Sequence, residues 1–429
     1  MVGEVRCALL GAGMYGGDVV LRTIADLELA GLAPFLGPVG LDRFGRDLAG
    51  MKFSLCAIGT RSRSSAEKAA ARYRAWVGGS AVKPYWGEKP WEALLEECRP
   101  HILFVATPDH LHCEPTLAAL QAGAHVVVEK PLCLSLAEAD QIVEKARSSG
   151  LIVGVDMHKR YDPCHVFLFT ELVPRLGTLN YGYAVLEEPL EVSASTFAWA
   201  ERSNPFCYVG VHWVDLFQYY LKVKPLSLHA VGQKHLLKTC RPKPIDTFDS
   251  MQVSVQYDSG LNVQYVNAWI NPPDFEGPVN QEMRIVGVRG VIEFDQQDRG
   301  LRAAITGEGS RTYNPHFMHS MRRFRHPTPT SLGYGKDSLI ACTAACALVL
   351  AGRKAASDLT GAYPAAREAR EQVGVIQAAT AVAERNWKYF SDRSAAPVTA
   401  HFDNEGITLL DPFAGEEKLY SGCPWFQPE

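Results

Sequence analysis

The chain has 429 residues with a formal net charge of −4, and 47% of the residues are apolar. This length predicts two or three domains with sizeable cores, and the small net charge argues against a nucleic-acid partner. No apolar run approaches the length of a membrane span. The 11 scattered cysteines include no CxxC pair, so no metal site is predicted. An odd cysteine count without a secretory signal predicts a cytoplasmic location.

The first predicted strand, Val5 to Leu10, leads directly into a glycine-rich turn. A helix over Asp18 to Ala30 follows the turn. A GxGxxG pattern between a strand and a helix is typical of dinucleotide binding, because the glycines let the backbone approach a pyrophosphate at the helix N-terminus. The predicted cofactor-binding residues of this turn are Gly11, Gly13, Met14, Tyr15 and Gly16. The alternative is a plain glycine turn.

The second strand is displaced from its usual position. Asp42 stands near the spacing at which an acidic residue holds the ribose, but its apolar run is very short. We therefore interpret residues 31–51 as an insertion and place the second strand at Lys52 to Gly59.

The end of that strand indicates the cofactor. Thr60, Arg61 and Ser62 offer hydroxyls and a guanidinium but no carboxylate. These groups suit a 2′-phosphate, so the sequence favours NADP over NAD. The alternative is a solvated basic loop that discriminates weakly.

Two further strands, Ile102 to Ala106 and His125 to Val128, flank a helix predicted to begin near Glu114. Ligands of open parallel sheets lie at the carboxyl ends of the strands. The second strand ends in Glu129, Lys130 and Pro131, and the proline keeps the backbone of Lys130 extended. Such a lysine can bond a substrate hydroxyl and exchange a proton with it, although a lone lysine is more often solvated.

Residues after the first of these strands face the same crevice. Thr107, Pro108 and His112 are candidates there, and His112 could equally cap the following helix. A capping box at Ser135 opens a helix to Ser149, and a strand follows at Leu151 to Met157. Residues 1–157 are thus predicted to form a doubly wound parallel sheet, the Rossmann fold.

Residues 158–390 are predicted to form a second, α+β domain built on an antiparallel or mixed sheet. Period-2 alternation and turns predict strands at Thr178 to Leu186, Leu226 to Val231, Met251 to Tyr257, Leu261 to Ile270 and Met283 to Phe294. Helices are predicted at Cys207 to Tyr220, Asp337 to Ala356 and Pro364 to Phe390. Residues 391–429 are predicted to be an irregular tail.

These motifs together resemble those of the glucose–fructose oxidoreductase, inositol dehydrogenase and rhizopine-catabolism family (Gfo/Idh/MocA). The residues that carry the resemblance are VRCALLGAGMYG, VATPDHLHCEPTLAALQAGAHVVVEKPL, MHKRYDP and GVHWVD, within about residues 4–390. The resemblance implies nicotinamide-dependent hydride transfer at a carbinol carbon of a sugar or cyclitol. It also implies a large, open, mostly antiparallel sheet in the α+β second domain, and a homodimer or homotetramer formed through that sheet.

The resemblance also implies individual roles. Lys130 matches the lysine that bonds the reacting hydroxyl, and His212 matches the histidine that acts as general acid and base. Gly11, Gly13, Gly16, Thr60, Arg61, Thr107, Pro108, His112 and Glu129 match cofactor positions, and Arg160 matches a domain-junction residue. Many members carry aspartate four residues before the histidine, where this chain has Tyr208. The phenol could itself donate a proton.

Three functions follow as alternatives. The first is an exchangeable dehydrogenase or reductase of a sugar or sugar derivative. The second is a redox-neutral glycosidase with tightly bound NAD, in which oxidation, elimination, water addition and re-reduction occur in turn. The third is a non-enzymatic nucleotide sensor, against which intact Lys130 and His212 argue.

Further residues are candidates for substrate binding. Trp213, Asn267 and Trp269 suit a pyranose, because rings stack on aromatic faces and amides bond hydroxyls. His158, Lys159 and Arg160 could bind an anionic group of the sugar or form salt bridges between domains. A second basic stretch, Arg322 to His326, is interpreted as a solvated or interface loop.

Overall fold

The computed structural model describes residues 3–425 apart from 241–242, 273–274, 276–278, 296–301, 306–308, 313, 315 and 322–329. The basic stretch Arg322 to His326 therefore lies outside the described residues. Across the part of the chain that is described, no helix is both long and apolar enough to cross a membrane.

The strands and helices are numbered in chain order. The strands are β1 Glu4–Leu10, β2 Lys52–Thr60, β3 Lys83–Trp86, β4 Ile102–Val105, β5 His125–Glu129, β6 Val153–Asp156, β7 Leu179–Pro189, β8 Pro225–Gln233, β9 Ser250–Tyr257, β10 Asn262–Asn271, β11 Asn280–Gly287, β12 Gly290–Asp295, β13 Arg302–Ile305, β14 Gly309–Thr312, β15 His319–Met321, β16 Thr330–Leu332, β17 Thr399–Asp403, β18 Gly406–Asp411 and β19 Gly415–Ser421. The α-helices are α1 Leu21–Ala30, α2 Arg63–Val77, α3 Pro90–Cys98, α4 Cys113–Gln121, α5 Leu136–Ser149, α6 Pro163–Phe167, α7 Val211–Leu221, α8 Leu236–Thr239, α9 Tyr334–Leu350 and α10 Ala366–Arg393.

The chain divides into two compact units. Unit 1 contains residues 1–133, 138–163 and 316–369, and unit 2 contains residues 134–137, 164–315 and 370–429. The predicted boundary at residue 157 is close to residue 163, after which the chain enters the longest segment of unit 2. However, residues 316–369 belong to unit 1, whereas we expected all of 158–390 in the second domain. The reason is that α9 packs its buried alanine, cysteine and leucine side chains into the core of unit 1.

Unit 1 is built on a six-stranded parallel sheet in the order β3-β2-β1-β4-β5-β6. This is the doubly wound order predicted from the alternating strands and helices. The strands are almost continuous apolar runs, as expected where helices cover both faces of a sheet. The predicted insertion, 31–51, contains two short 3₁₀ turns, Ala33–Phe35 and Asp42–Phe44. Asp42 thus lies in a turn and not at a strand end.

Unit 2 is built on a nine-stranded mixed sheet in the order β12-β11-β7-β10-β9-β8-β17-β18-β19. All neighbours are antiparallel except β7 and β10, which run parallel. The predicted strand Met283 to Phe294 is in fact the hairpin β11–β12, because Gly287 pairs with Gly290 across a two-residue turn.

The prediction of an irregular tail after residue 391 is wrong. β17 pairs with β8, and β18 and β19 continue the sheet as an antiparallel meander. The side chains of Ala400, Phe402, Ile407 and Leu409 are buried, so the meander completes the core of unit 2. Asn386 of α10 fixes its start, because the amide donates to Val398 O at 3.0 Å and accepts from Val398 N at 2.8 Å.

Candidate active site

The glycine-rich turn of unit 1 has the geometry that a pyrophosphate requires. Gly11 has φ of 90°, and a Cβ there would lie 2.2 Å from the carbonyl oxygen of Ala106. A Cβ on Gly16 would lie 2.3 Å from the carbonyl oxygen of Gly11. A Cβ on Gly13, in contrast, would meet no described atom within 4 Å. Gly11 and Gly16 are therefore required by the fold, whereas Gly13 leaves the outer side of the turn open to a ligand.

The two side chains within the turn differ in orientation. Met14 is 51% exposed. Tyr15 is half-buried, and its hydroxyl donates to Oδ2 of Asp156 at 2.6 Å. That hydroxyl also lies 3.0 Å from the carbonyl oxygen of Gly335 and 3.3 Å from Nδ1 of His158. Tyr15 thus connects the turn to the end of β6.

The end of β2 presents the groups predicted to select the cofactor. The Thr60 hydroxyl donates to Ser62 O at 2.7 Å, and the Ser62 hydroxyl caps α2 by accepting from Ser65 N at 3.2 Å. The Arg61 side chain is 86% exposed and lies 3.5 Å from a carboxylate oxygen of Glu88. A loose ion pair of this exposure is weak, so the Arg61 guanidinium can turn towards a ligand.

The loops that follow β4 and β5 are joined by the side chain of His112. His112 is fully buried, with Nδ1 2.6 Å from Pro131 O and Nε2 2.8 Å from Thr107 O. Burial lowers the pKa of His112, and the nearby charge of Lys130 acts in the same direction. Thr107 and Pro108 are half-buried at the same edge. His112 therefore holds two ligand-facing loops together and does not cap α4.

The end of β5 carries the two residues of greatest chemical interest in unit 1. Glu129 is 9% exposed and Lys130 is 5% exposed. Glu129 is the last residue of β5, a strand without an exposed residue, and Lys130 follows it directly. The Lys130–Pro131 peptide bond is cis. A buried ammonium at the ligand-binding edge of a parallel sheet can hold and protonate a substrate oxygen.

Asp156, at the end of β6, is a site residue that the sequence analysis missed. It is the register partner of Glu129 on the neighbouring strand and is 1% exposed. Burial raises the pKa of both carboxyls, and the negative charge of Asp156 raises the pKa of Glu129 further. Its position in the sequence could have identified Asp156, because it ends a strand of the parallel sheet as Glu129 does.

The basic cluster after β6 is buried within unit 1. His158 stacks on Tyr15 with ring centroids 5.7 Å apart, and Lys159 and Arg160 are also buried. Nη1 of Arg160 lies 2.6 Å from Oε2 of Glu368, and both residues belong to unit 1. Arg160 is therefore neutralised by Glu368, which favours the salt-bridge interpretation over anion binding. The bridge lies inside one unit and does not join the two.

The predicted acid–base residues of unit 2 lie on one helical segment. Tyr208 belongs to a π-helical turn, Phe206–Gly210, that runs into α7. His212 is 5% exposed and Asp215 is buried. Tyr208 is half-buried among aromatic rings, with Phe197 at 4.8 Å and Trp199 at 5.7 Å between centroids.

The three residues predicted to contact a pyranose are buried inside unit 2. Trp213, Asn267 and Trp269 are each 0% exposed. The Trp269 indole donates to Glu188 at 3.0 Å, and the Asn267 amide donates to Leu186 O at 3.0 Å. They thus offer no free surface for a sugar. Near Tyr208, the aromatic residue that retains exposed area is Trp199.

The geometry first defines a class. A doubly wound sheet with an open GxGxxG turn and a buried lysine at the same carboxyl-end edge is a dinucleotide-binding oxidoreductase domain. Family models agree: the oxidoreductase family with the NAD-binding Rossmann fold (GFO_IDH_MocA) matches residues 5–157, and the GFO/IDH/MocA C-terminal domain matches residues 174–293. The chain belongs to the GFO/IDH/MocA family, as the motifs predicted.

Curated relatives include sugar and cyclitol dehydrogenases. D-glucoside 3-dehydrogenase of Escherichia coli is 26% identical over 42% of this chain and 56% of its own length. Levoglucosan dehydrogenase of Pseudarthrobacter phenanthrenivorans is 24% identical over 58% of this chain and 71% of its own length. The scyllo-inositol 2-dehydrogenase (NAD(+)) of Bacillus subtilis is 35% identical over 41% and 50%. The chain thus spans little more than half the length of the first of these relatives.

Solved structures share the fold across both units. Levoglucosan dehydrogenase in complex with NADH and L-sorbose has a TM-score of 0.63 at 18% identity, covering 89% of this chain and 97% of that one. An inositol dehydrogenase homolog from Azotobacter vinelandii, in complex with NADH and myo-inositol, has a TM-score of 0.63 at 20% identity, covering 89% and 96%.

Proposed function

We propose that the protein is a nicotinamide-dependent dehydrogenase or reductase acting at a carbinol carbon of a sugar, a sugar derivative or a cyclitol. The observation that carries the proposal is the buried Lys130 after β5, at the same carboxyl-end edge of the parallel sheet as a GxGxxG turn whose Gly13 side is open. The named activities of the relatives support this substrate class.

In the proposed mechanism the cofactor, when bound, accepts or returns the hydride. Gly11, Gly13 and Gly16 would hold its pyrophosphate, and Lys130 would bond the reacting hydroxyl and handle its proton. The family resemblance implies a general acid and base role for His212. The buried surroundings of Lys130 strengthen that hydrogen bond, because a low local dielectric strengthens electrostatic interactions.

Replacing the lysine tests this role. Lys130→Met should lower kcat roughly 10²–10⁴-fold, the usual contribution of acid–base catalysis, with little change in the Kd for the cofactor. Lys52→Met is the matched control, because Lys52 is exposed at the amino end of β2. Turnover by Lys130→Met close to that of the wild type would refute the role of Lys130.

The cofactor preference remains a prediction. Thr60, Arg61 and Ser62 favour NADP, whereas the two structures compared above were solved with NADH. Titration of the apoprotein with each dinucleotide gives the two Kd values directly. Arg61→Ala should weaken NADP binding about tenfold and leave NAD binding nearly unchanged, since one charge-assisted contact contributes about 1.5 kcal/mol. Tighter binding of NAD by the wild type would reverse the preference.

The redox-neutral glycosidase is the second candidate. It is favoured by Tyr208, a phenol at the position where the family often has aspartate, on the same helical segment as His212. Such a cycle keeps its NAD, so the purified protein would release close to one nicotinamide per chain on denaturation. Release of much less than one nicotinamide per chain, together with a change in nicotinamide absorbance when free sugars are added, would favour the exchangeable dehydrogenase. Stoichiometric cofactor with aglycone release would favour the glycosidase.

A further inference from the structure

Two carboxyl groups lie side by side at the ends of β5 and β6, next to the proposed catalytic lysine in the chain. Glu129 and Asp156 are register partners at the ends of β5 and β6, and both side chains are more than nine-tenths buried. One carboxyl oxygen of each lies, together with a ring nitrogen of His158, in a group whose atoms are all within 4.8 Å of one another. Two ionised carboxylates at this separation, removed from water, repel strongly.

The hydrogen bonds at the pair are unequal. Oδ2 of Asp156 accepts from the Tyr15 hydroxyl at 2.6 Å. Among the residues the structure describes, Glu129 Oε1 and Asp156 Oδ1 have no hydrogen-bond partner. A buried oxygen without a partner is costly. A proton on one carboxyl would satisfy it, because that carboxyl could then donate to the other.

We propose that Glu129 and Asp156 share one proton, carried mainly by Glu129, so that the pair presents a single negative charge to Lys130. Asp156 is the ionised member because the Tyr15 hydroxyl donates to it. Both residues act as positioning residues: they balance the ammonium charge of Lys130 without touching the reacting atoms. This inference rests on the proposed function of Lys130 and deepens it.

The surroundings are consistent with one charge. The titratable and charged groups that face the pair come from the glycine-rich turn, the ends of β4, β5 and β6, and α9: they are Tyr15, Asp109, Lys130, His158 and Cys342. Burial, the Asp156 charge and the Asp109 charge all raise the pKa of Glu129, and Lys130 opposes them. Lys130 is the one lysine or arginine among these groups, and a single ammonium balances one carboxylate and not two.

Infrared spectroscopy tests the shared proton without any assay of activity. In the wild type at neutral pH, we expect a C=O stretching band of a protonated carboxyl that shifts when glutamate is labelled with ¹³C. The band should disappear in Glu129→Gln, and also in Asp156→Asn, where the remaining Glu129 ionises. Glu114→Gln is the control, because Glu114 is exposed and paired with Lys89. Absence of the labelled band in the wild type would overturn the inference and leave the proposed function intact.

The pH profile of kcat/KM is an independent test of the net charge on the Glu129–Asp156 pair. With one shared proton, either single substitution leaves the pair at −1, so the midpoint of the alkaline limb of the profile should not move. The double variant Glu129→Gln/Asp156→Asn removes the last negative charge, and the midpoint should fall by about 1–3 pH units. A stepwise fall at each substitution would show two ionised carboxylates and refute the shared proton.

A bound divalent cation would be the other way to neutralise the pair. Elemental analysis of the purified protein distinguishes the two, and stoichiometric metal lost in Asp156→Asn would overturn the inference. If instead the band is present and Lys130→Met is fully active, the shared proton holds and the proposed function fails.

Discussion

At the residue scale, the three glycines of the turn have different physical requirements. Gly11 combines a φ of 90° with a carbonyl oxygen 2.2 Å from the position of a Cβ, whereas Gly13 has open space around that position. A substitution at Gly11 therefore strains the fold, and one at Gly13 obstructs only a ligand. The same three-glycine motif thus contains both structural and ligand-facing positions.

The pair Gly11→Ala and Gly13→Ala makes this distinction measurable. Gly11→Ala should lower the free energy of unfolding by about 1–3 kcal/mol or more, the usual cost of a strained backbone with a close contact. Gly13→Ala should unfold like the wild type yet bind the cofactor at least about tenfold more weakly. Thermal denaturation and cofactor titration on both variants check the result; equal destabilisation by the two would contradict the assignment.

At the element scale, α9 shows how a helix far along the chain becomes part of the nucleotide-binding unit. Lys336, in its first turn, is buried, and Nζ lies 2.7 Å from Oδ2 of Asp26 on α1. The same ammonium donates to Ser331 O at 3.0 Å. Removing one partner of such a buried pair typically costs about 3–5 kcal/mol, so this ion pair ties α9 to α1 in one arrangement.

The next residue of α9 gives a pH-dependent prediction. Burial raises the pKa of Asp337 from 3.8 to about 6, and Lys336 opposes the rise. The folded state therefore binds this proton more tightly than the unfolded state, so the associated stability is present below about pH 4 and is lost as the pH rises to about 6. Above that pH, Asp337→Asn should be more stable than the wild type by about 1–3 kcal/mol, after allowance for solvent screening.

Denaturant unfolding from about pH 4 to about pH 7 measures this difference. Asp392→Asn serves as the control, because Asp392 is exposed near the end of α10. An Asp337→Asn curve parallel to that of the wild type across this range would mean that Asp337 titrates normally.

At the scale of the whole molecule, the nine-stranded sheet of unit 2 exposes aromatic side chains on one strand. Tyr181 and Tyr183 of β7 are 45% and 37% exposed on one face of that sheet, while Gly182 and Ala184 between and beyond them are buried. Exposed aromatic residues on a large sheet are typical of interfaces. We propose that the protein forms a homodimer or homotetramer through this surface.

Light scattering of the purified protein gives the mass of the assembly. Tyr181→Lys combined with Tyr183→Lys should shift that mass towards the 47.2 kDa of one chain, because two buried ammonium groups would be unpaired at the interface. Phe167→Lys is the control, since Phe167 on α6 is an aromatic residue that is more exposed, at 55%, than either tyrosine. A wild-type protein that is monomeric at all concentrations would contradict the proposal.

Much of unit 1 could be predicted because the signals are local. The strand before the GxGxxG turn, the second strand at Lys52, and Lys130 at a strand end all follow from runs of a few residues. In unit 2 the period-2 strands were recognised within a few residues of their bounds. The meander β17–β19 was not, because its strands are short and are defined by pairing: β17 with β8, β18 with β17, and β19 with β18.

The sequence by itself determined the family and the doubly wound parallel sheet, since motifs and apolar periodicity are local properties of a chain, and it predicts the roles of Lys130 and His212. Only the tertiary structure decided that α9 belongs to unit 1, that Trp213 and Trp269 are buried, and that Asp156 lies beside Glu129. These facts depend on which distant segments pack together, and packing of this kind is set by the shape and burial of the whole fold, which no short stretch of sequence encodes.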